Sequence, residues 1–220
     1  MTFMVAGTSN LAGRFFPPPD PLVAGRWRLV RLTLKDAQAM MRMGIIPEDA
    51  STELLDGFVV LKDRSARDQD PTMIGQEHRK CVERLSSLRK LIDNDHRHVE
   101  SQQPLVCSET QVPEPDFMVL HGTLDSYADL PLAQDAWCVV EVADSSYERD
   151  TGEKLAGYAE AAIGQYIVIN LRNRTAEIYA DPDPAEKRYP PPMIVGASGS
   201  LELRVGEGEF FPVSLAELLP

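Results

Sequence analysis

The sequence Trp137-Cys-Val-Val-Glu-Val-Ala143, followed by Asp144-Ser-Ser-Tyr-Glu-Arg-Asp-Thr-Gly-Glu-Lys154, carries the strongest structural signal in the chain. Its first seven residues show no alternation of polar and apolar positions, which predicts a strand buried on both faces. A buried unpaired carboxylate is costly, so Glu141 is expected to be protonated, paired or bound to a metal. Lys154 falls on the first turn of a predicted helix. An acid on a central strand, an amine on the next helix and a further acid upstream would make a metal-phosphate site.

The composition is that of an ordinary globular protein. At 220 residues, 43% of them apolar and 25% charged, the chain fits one domain with a sizeable core. No apolar run approaches the roughly 20 residues of a membrane span. The cysteines Cys81, Cys107 and Cys138 lack CxxC spacing, which argues against a disulfide framework or a zinc site. We therefore expect a reducing, cytoplasmic location and no membrane partner.

The net charge of −12 argues against a nucleic-acid partner, because binding phosphates normally requires a basic surface. A cluster of acids that awaits a divalent cation is acidic by construction and accounts for two or three of these charges. The remaining negative charge still argues against a nucleic-acid partner.

The predicted organisation is a proline-rich extension, residues 1–25, followed by a single domain, residues 26–220. The segment Phe15-Phe-Pro-Pro-Pro-Asp-Pro21 cannot be helical and suits a polyproline arm. It is either an arm that packs on a partner or a loose tail.

The pattern of the domain predicts an α/β (α+β) fold, with a central mixed sheet flanked by helices and additional strands at the C-terminus. The predicted elements are a helix from Leu34 with Thr33 as N-cap, a hairpin turning at Asp56-Gly57, a long amphipathic helix over 71–94, strands over 99–106, 113–120, 137–143, 165–170 and 175–179, a helix from Lys154 to about Ala162, and a closing ribbon over 201–205 and 210–213.

Asp116 and Glu141 are the candidate metal ligands. Asp116 follows Pro115 at the start of a predicted strand, where an Asp alone is usually a turn residue. Taken with Glu141 on a neighbouring strand, it becomes half of a divalent-metal site, since Mg²⁺ uses one or two carboxylates plus waters and substrate phosphate. The backbone carbonyl of Val142 is a further candidate ligand.

Lys154 is either an exposed helical cation or a group that stabilises the charge developing on phosphate. Asp150-Thr-Gly-Glu153 matches a capping box, which predicts that Asp150 holds the start of the helix. Tyr158 lies one turn beyond Lys154 on the same helix face, so it lines the site or packs in the core.

Glu53 and His78 are supporting candidates. An acid beside Leu54-Leu55 is commonly solvated, but the hairpin could carry Glu53 to the acid pair. His78 shares an apolar stripe with Ile74 and Val82, which favours a hydrogen-bonded histidine at the core edge over a metal ligand. His96 and His98 are predicted to lie in a loop.

The ordered set Pro115-Asp116, Glu141-Val142-Ala143 and Lys154 resembles the PD-(D/E)xK nuclease superfamily. In that pattern a lysine commonly follows the acid by two residues, a position held here by Ala143. Lys154 matches the relatives in which the lysine has moved to the next helix.

More specifically, the chain resembles the Uma-type restriction endonuclease family from about residue 27 onward. The matching pieces, in order, are Glu53-Leu-Leu-Asp-Gly57, His78, Pro115-Asp116, Val140-Glu141-Val142, Asp150, Lys154, Tyr158 and Gly164-Gln165-Tyr166. Gln165, Ile167 and the turn Ala143-Asp144-Ser145 depart from the usual family residues.

The resemblance implies a restriction-endonuclease-like core and a homodimer. It also implies Mg²⁺- or Mn²⁺-dependent hydrolysis of DNA phosphodiester bonds at Asp116, Glu141 and Lys154, with Glu53 in support. The acidic charge and the proline-rich arm favour an alternative, a non-catalytic dimeric interaction module that retains the nuclease fold.

Overall fold

A six-stranded mixed sheet forms the centre of the fold in the computed structural model, which describes residues 30–47, 50, 52–61 and 71–220. The predicted arm, residues 1–25, lies outside the described residues. The helices are α1 (Leu34–Arg42), α2 (Pro71–Ser87), α3 (Arg89–Ile92), α4 (Tyr147–Asp150), α5 (Glu153–Glu160) and α6 (Leu215–Leu218). The strands are β1 (Thr52–Leu55), β2 (Phe58–Leu61), β3 (Arg97–Glu100), β4 (Phe117–His121), β5 (Ala136–Ala143), β6 (Gln165–Asn170), β7 (Thr175–Ala180), β8 (Met193–Gly196), β9 (Ser200–Gly206) and β10 (Glu209–Ser214).

The central sheet has the order β3-β4-β5-β6-β7-β8, and β5 and β6 form its one parallel pair. A parallel pair needs a crossover, and α4 and α5 provide it. The β1–β2 hairpin and the β9–β10 ribbon are separate two-stranded sheets. The predicted mixed sheet with extra C-terminal strands is confirmed.

The alternation of side chains along β5 divides the core into two layers. Val140 and Val142 belong to one layer, together with α2 residues such as Leu85 and the ribbon residues Leu201 and Leu203. Val139 and Ala143 belong to the other layer, which contains Tyr158 and Ala159 of α5. Glu141 has the parity of Val139 and Ala143, so its side chain lies on the α5 face of the sheet.

The β1–β2 hairpin turns at Asp56-Gly57, as predicted, with φ of 50° and 77° at these two residues. Positive φ at both central positions is the geometry of a type I′ turn, which matches the twist of the flanking strands. The hairpin is tied to the segment before β4, because Leu54 bridges Val112 and Asp56 N–H donates to Gln111 Oε1 over 2.8 Å. These contacts hold β1 beside the central sheet.

The predicted helix over 71–94 is wrong as a single element, because it is interrupted at Leu88 between α2 and α3. At the interruption Leu88 N–H bonds to Leu85 O over 2.9 Å, a tighter i to i−3 bond. Ser86 and Ser87 also donate their hydroxyls to the preceding carbonyls of Val82 and Arg84. Such back-bonding competes with the helical ladder and ends the regular helix.

The strand predicted over 99–106 is displaced, since β3 covers Arg97–Glu100. His98, predicted in a loop, is therefore a buried strand residue, with Nδ1 2.9 Å from Gly122 O. The edge strand β8 was not predicted at all. It follows Pro190-Pro-Pro192, and its residues Met193 and Ile194 are exposed.

Prediction of α1 is confirmed, since Thr33 caps it in a capping box with Asp36. Within the described ranges, no helix combines the length and apolar character needed to cross a membrane.

Two helical glycines should respond to alanine in opposite directions. A Cβ at Gly75 in α2 would meet nothing, so Gly75→Ala should stabilise the protein by about 1 kcal/mol through helix propensity. A Cβ at Gly157 in α5 would overlap the side-chain amide of the buried Gln111, so Gly157→Ala should destabilise it by about 1–3 kcal/mol. Urea unfolding of both variants measures this, and stabilisation by Gly157→Ala would contradict the packing described for Gln111.

Candidate active site

Asp116 immediately precedes β4 and lies beside the end of β5, because Phe117 pairs with Val140 in antiparallel register. Its Oδ2 accepts a hydrogen bond from Val142 N–H over 2.9 Å and lies 3.1 Å from His78 Nε2. Gln102 Nε2 is 3.5 Å from the other oxygen, Oδ1. Asp116 is buried, and it is held from β5 and α2 together.

Glu141 lies near the end of β5 with 3% of its surface exposed. Its Oε1 accepts two hydrogen bonds from α5, one from Lys154 Nζ over 2.8 Å and one from the Tyr158 hydroxyl over 2.9 Å. Lys154 and Tyr158 are four residues apart, so they project from one helix face. That spacing explains how a single short helix supplies both donors.

Glu53 completes the cluster from the hairpin. Lys154 Nζ lies 2.7 Å from Glu53 Oε1, and Glu114 N–H donates to the same oxygen over 2.8 Å. Glu53 and Lys154 are each 2% exposed. The structure thus brings three elements, β1, β5 and α5, together around one buried ammonium group.

The electrostatics of the cluster are dominated by burial. Burial raises the pKa of Glu141 to about 8, against the opposing effect of Lys154 and with a further increase from the charges of Asp150, Asp116 and Glu53. Burial alone would lower the pKa of Lys154, but the charges of Glu141 and Glu53 outweigh it and raise that pKa. The single ammonium of Lys154 can balance only one of the two carboxylates that contact it. Glu141, whose pKa is raised, is therefore held close to its neutral form.

Asp116 behaves in the opposite way. Burial would raise its pKa, but the hydrogen bond and charge of His78, together with the Val142 N–H, lower the pKa below its ordinary value. Asp116 is therefore ionised where Glu141 is close to neutral. The two candidate acids differ in protonation because their hydrogen-bond partners differ.

Asp150 does not cap α5, so the predicted capping box is wrong. The N-cap of α5 is Gly152, without a side-chain hydrogen bond, and Asp150 ends the preceding helix α4. Its Oδ2 accepts from the Ser146 hydroxyl, and its backbone carbonyl accepts from the Tyr166 hydroxyl over 2.8 Å. The chain turns at Thr151-Gly152, so the box positions fall in two helices instead of one.

The carboxylate oxygens of Asp116 and Glu141 are the type of ligand that a hard divalent cation takes, when water and substrate fill most of its coordination shell. Within the described residues, no group of three or more His, Cys, Asp and Glu side chains is arranged to hold a metal ion. Asp116 and Glu141 form a two-carboxylate set, which matches the one or two carboxylates that Mg²⁺ takes when waters and substrate phosphate complete its shell. The carbonyl of Val142 stays a predicted ligand; the described contact of Val142 with the site is its N–H.

Several contacts of the cluster were not predicted from the sequence. Gln102 beside Asp116, the backbone N–H of Glu114 and the Tyr166 hydroxyl beneath Asp150 all belong to it. Gln102 has a φ of 53°, which a turn before Pro104 allows but no sequence motif signals. Every residue except proline has a backbone N–H, so residue types alone do not indicate which backbone donors enter a site.

The comparison with known proteins gives a family and a fold. The model of a family described as "Putative restriction endonuclease" (Uma2) matches residues 41–208. A crystal structure described as "a putative nuclease belonging to DUF820 from Anabaena variabilis ATCC 29413" is similar with a TM-score of 0.61 and 12% identity, covering 85% of this chain and 97% of that chain. At 12% identity, the similarity between the two structures shows a shared fold and nothing more. No curated protein matches the sequence.

Removing the buried ammonium should destabilise the protein strongly. Lys154→Met leaves the carboxylates of Glu53 and Glu141 buried without their shared counter-charge, and loss of one partner of a buried pair costs about 3–5 kcal/mol. Adding Glu141→Gln should recover part of that loss, with a coupling of about 0.5–3 kcal/mol. Denaturant unfolding of both single variants and the double variant measures the coupling; strict additivity would mean that the two side chains do not interact.

Asp150 should produce a pH-dependent difference in stability. Burial raises its pKa above the ordinary value of 3.8, although Lys154, Ser146 and Arg149 oppose the shift. Its contribution to stability is therefore complete below that ordinary value and is lost as the pH rises through the higher pKa of the folded protein. Asp150→Asn should gain stability relative to the wild type as the pH rises above the ordinary value of 3.8, measured by thermal unfolding over a pH series. A difference that is constant with pH would contradict the raised pKa.

Proposed function

The chain belongs to the Uma2 family, described as "Putative restriction endonuclease", and from this membership we propose that it is a metal-dependent endonuclease that hydrolyses phosphodiester bonds of DNA. The observation that carries the proposal is the convergence of Asp116, Glu141 and Lys154 at one edge of the central sheet. Acidic ligands for a cation and an amine that stabilises phosphate charge are groups that metal-assisted phosphodiester hydrolysis uses.

Asp116 and Glu141 are proposed to hold Mg²⁺ or Mn²⁺, which when bound supplies Lewis acidity at the phosphate and activation of the attacking water. The charge balance supports this assignment. Glu53, Asp116, Glu141 and Asp150 are buried beside one buried ammonium, so the cluster has an excess of negative charge. A divalent cation would neutralise that excess and favour ionised Glu141.

The chain's own residues orient the reacting groups. Lys154 gives two of its three N–H donors to Glu53 and Glu141, which leaves the third for a phosphate oxygen or the attacking water. Tyr158 fixes Glu141 through its hydroxyl, and His78 fixes Asp116. Glu53 positions the ammonium, and Glu114 in turn holds Glu53 through its backbone.

Two further features of the proposal follow from the family resemblance and the cysteine chemistry. The enzyme is proposed to act as a homodimer, since duplex DNA presents two strands to cut. It is proposed to act in the cytoplasm, where its three free thiols would stay reduced.

A second candidate, a non-catalytic dimeric interaction module with the same fold, is favoured by one observation. Lys154 already pairs with both Glu141 and Glu53 within the protein, so the ammonium and these two acids have partners without a metal. In this case Asp116 and Glu141 serve the specificity of the fold and bind no cation.

Cleavage of plasmid DNA in the presence of Mn²⁺ tests the nuclease directly. Asp116→Asn and Glu141→Gln should each reduce the rate at least about a hundredfold through loss of a metal ligand, and Lys154→Met about 10²–10³-fold through loss of charge stabilisation. Chelation with EDTA should abolish cutting.

Glu177→Gln is the matched control, since Glu177 is another buried acid of the sheet, held by the hydroxyls of Tyr147 and Tyr179. It should cut at the wild-type rate, which separates loss of a ligand from loss of a buried carboxylate. Equal cutting by all variants would reveal a contaminating nuclease. Absence of cutting together with no calorimetric heat of Mn²⁺ binding would favour the interaction module.

A further inference from the structure

A hollow opens at the carboxyl end of the parallel pair β5 and β6. Its volume is about 240 Å³, and it is lined by Asp144, Ser145, Tyr147, Glu148, Asn170 and Arg172. In open sheets that contain parallel strands, ligands bind outside the carboxyl ends of those strands. The acids of the candidate active site lie at the same end of β5, because Asp116 directly precedes β4 and Phe117 pairs with Val140. The β5–β6 hollow and the candidate active site therefore share one end of the sheet.

The register of β5 and β6 places the hollow beside Glu141. Glu141 pairs with Val168, and Ala143 pairs with Asn170. Val168 lies in the core layer of the α5 face, and side chains alternate along a strand, so Asn170 is on the same face of the sheet as Glu141. The Cα atoms of Glu141 and Asn170 are one diagonal step apart, roughly 8 Å for strands about 4.8 Å apart with a rise of about 3.3 Å per residue. A single nucleotide can span this distance, with its phosphate at Glu141 and its base in the hollow.

Asn170 presents a hydrogen-bond donor to the hollow. Its Oδ1 accepts the Asn173 N–H over 3.0 Å, whereas its Nδ2 donates to no described residue. Asn170 is only 4% exposed, yet Nδ2 is not among the fully buried unpaired nitrogens of the described residues. The small exposed part of this side chain therefore includes its amide group, which opens into the hollow.

The charges of the hollow do not suit a phosphate. Arg172 is its cation and is already paired with Asp144 over 2.9 Å. With Glu148, the lining holds two carboxylates and one guanidinium, a net charge of −1. A negative lining repels phosphate, whereas an amide donor, carboxylate acceptors and the Ser145 hydroxyl match the mixed donors and acceptors on the edge of a nucleobase.

Tyr147 gives the hollow an aromatic wall. Its hydroxyl donates to Glu177 Oε1 over 2.6 Å, which holds the ring between α4 and β7. Unpaired bases of any sequence stack on such rings. A protein cavity of about 150 Å³ holds benzene, so a hollow of about 240 Å³ has room for one heterocyclic base.

We propose that the β5–β6 hollow binds one unpaired nucleobase of the nucleic-acid strand that is cut at the neighbouring cluster. This inference rests on the proposed function and adds to it a substrate class, a strand with an unpaired base beside the scissile phosphate. In a fully paired duplex the base is stacked and its pairing edge is occupied, so it must first leave the duplex. Contacts to a base also need no basic surface, which agrees with the net charge of −12.

Fluorescence anisotropy in EDTA, so that no cutting occurs, tests the inference with two labelled single strands. One is an oligodeoxynucleotide of mixed sequence, and the other is an abasic strand of the same length and the same number of phosphates. The wild type should bind the base-containing strand about tenfold or more tightly, the effect of stacking and pairing one base. The ratio of the two affinities is the readout, because a change in phosphate binding alters both affinities alike.

Ser145→Leu should abolish this preference. Ser145 is exposed, and an aliphatic side chain there fills the hollow without offering a ring for stacking. The affinity for the base-containing strand should fall about tenfold to that for the abasic strand, with the salt dependence unchanged because no phosphate contact is lost. Asn170→Asp keeps the oxygen that accepts from Asn173 and replaces the free donor with an acceptor, so it should also lower the ratio.

Ala185→Leu is the matched control. Ala185 is an exposed small residue in the connection after β7, which leaves the sheet at the opposite end because Ala180 pairs with Gln165, the first residue of β6. It should keep the wild-type ratio, with melting curves confirming that all variants fold.

The outcomes separate this inference from the proposed function. If the wild type cuts DNA with Mn²⁺ but binds both strands equally, or if Ser145→Leu keeps the wild-type ratio, no base occupies the hollow and only the inference is overturned. An equal loss of affinity for both strands in Ser145→Leu would indicate a general effect and would also overturn it. If the wild type prefers the base-containing strand through Ser145 and Asn170 but never cuts, the proposed hydrolysis fails while the base site stands. If the wild type neither binds a strand nor cuts, both fail.

Discussion

The buried ammonium of Lys154, held between Glu53 and Glu141, is the interaction on which the arrangement of the site depends. Taking three ionisable groups out of water is costly unless they meet at hydrogen-bonding distance. Here they meet from three separate elements, the hairpin, the central strand β5 and helix α5. A shift of any of these elements would leave a charge buried without its partner, so the cluster specifies how they pack.

The topology of the central sheet places the second acid, Asp116, beside the first. Because β4 runs antiparallel to β5, Asp116, which directly precedes β4, lies beside the last residues of β5. Asp116 then uses the N–H of Val142 and the ring of His78 to stay ionised while burial keeps Glu141 close to neutral. Two acids of different protonation at one sheet edge are a common basis for catalytic division of labour.

Much of this fold was predictable because strong local signals agree with the tertiary structure. Three local signals each predicted a single structure: the largely apolar run of β5, the Asp56-Gly57 turn and the cap at Thr33. Each of these predictions is confirmed. The spacing of Lys154 and Tyr158 also required a common helix face. These features depend on neighbours in sequence, which is what a sequence displays.

The remaining differences arise from contacts between distant segments or from competing side chains. The apparent capping box at Asp150 was misleading because the chain turns at Thr151-Gly152. Ser86 and Ser87 ended α2 where the apolar stripe continued. Gln102 and the N–H of Glu114 reach the site only through the sheet and the hairpin, and no residue pattern records such contacts.

The exposed edge strand β8 affects whether two copies of this protein can associate through their sheets. Among the described residues β8 pairs on one side only, and an edge with apolar side chains, here Met193 and Ile194, is a template on which another chain can add a strand. Three consecutive prolines precede it, and proline has no N–H to give to a ladder. An intermolecular ladder at this edge would therefore be confined to the four residues of β8, fewer than the roughly six or seven residues of a typical aggregation-prone segment.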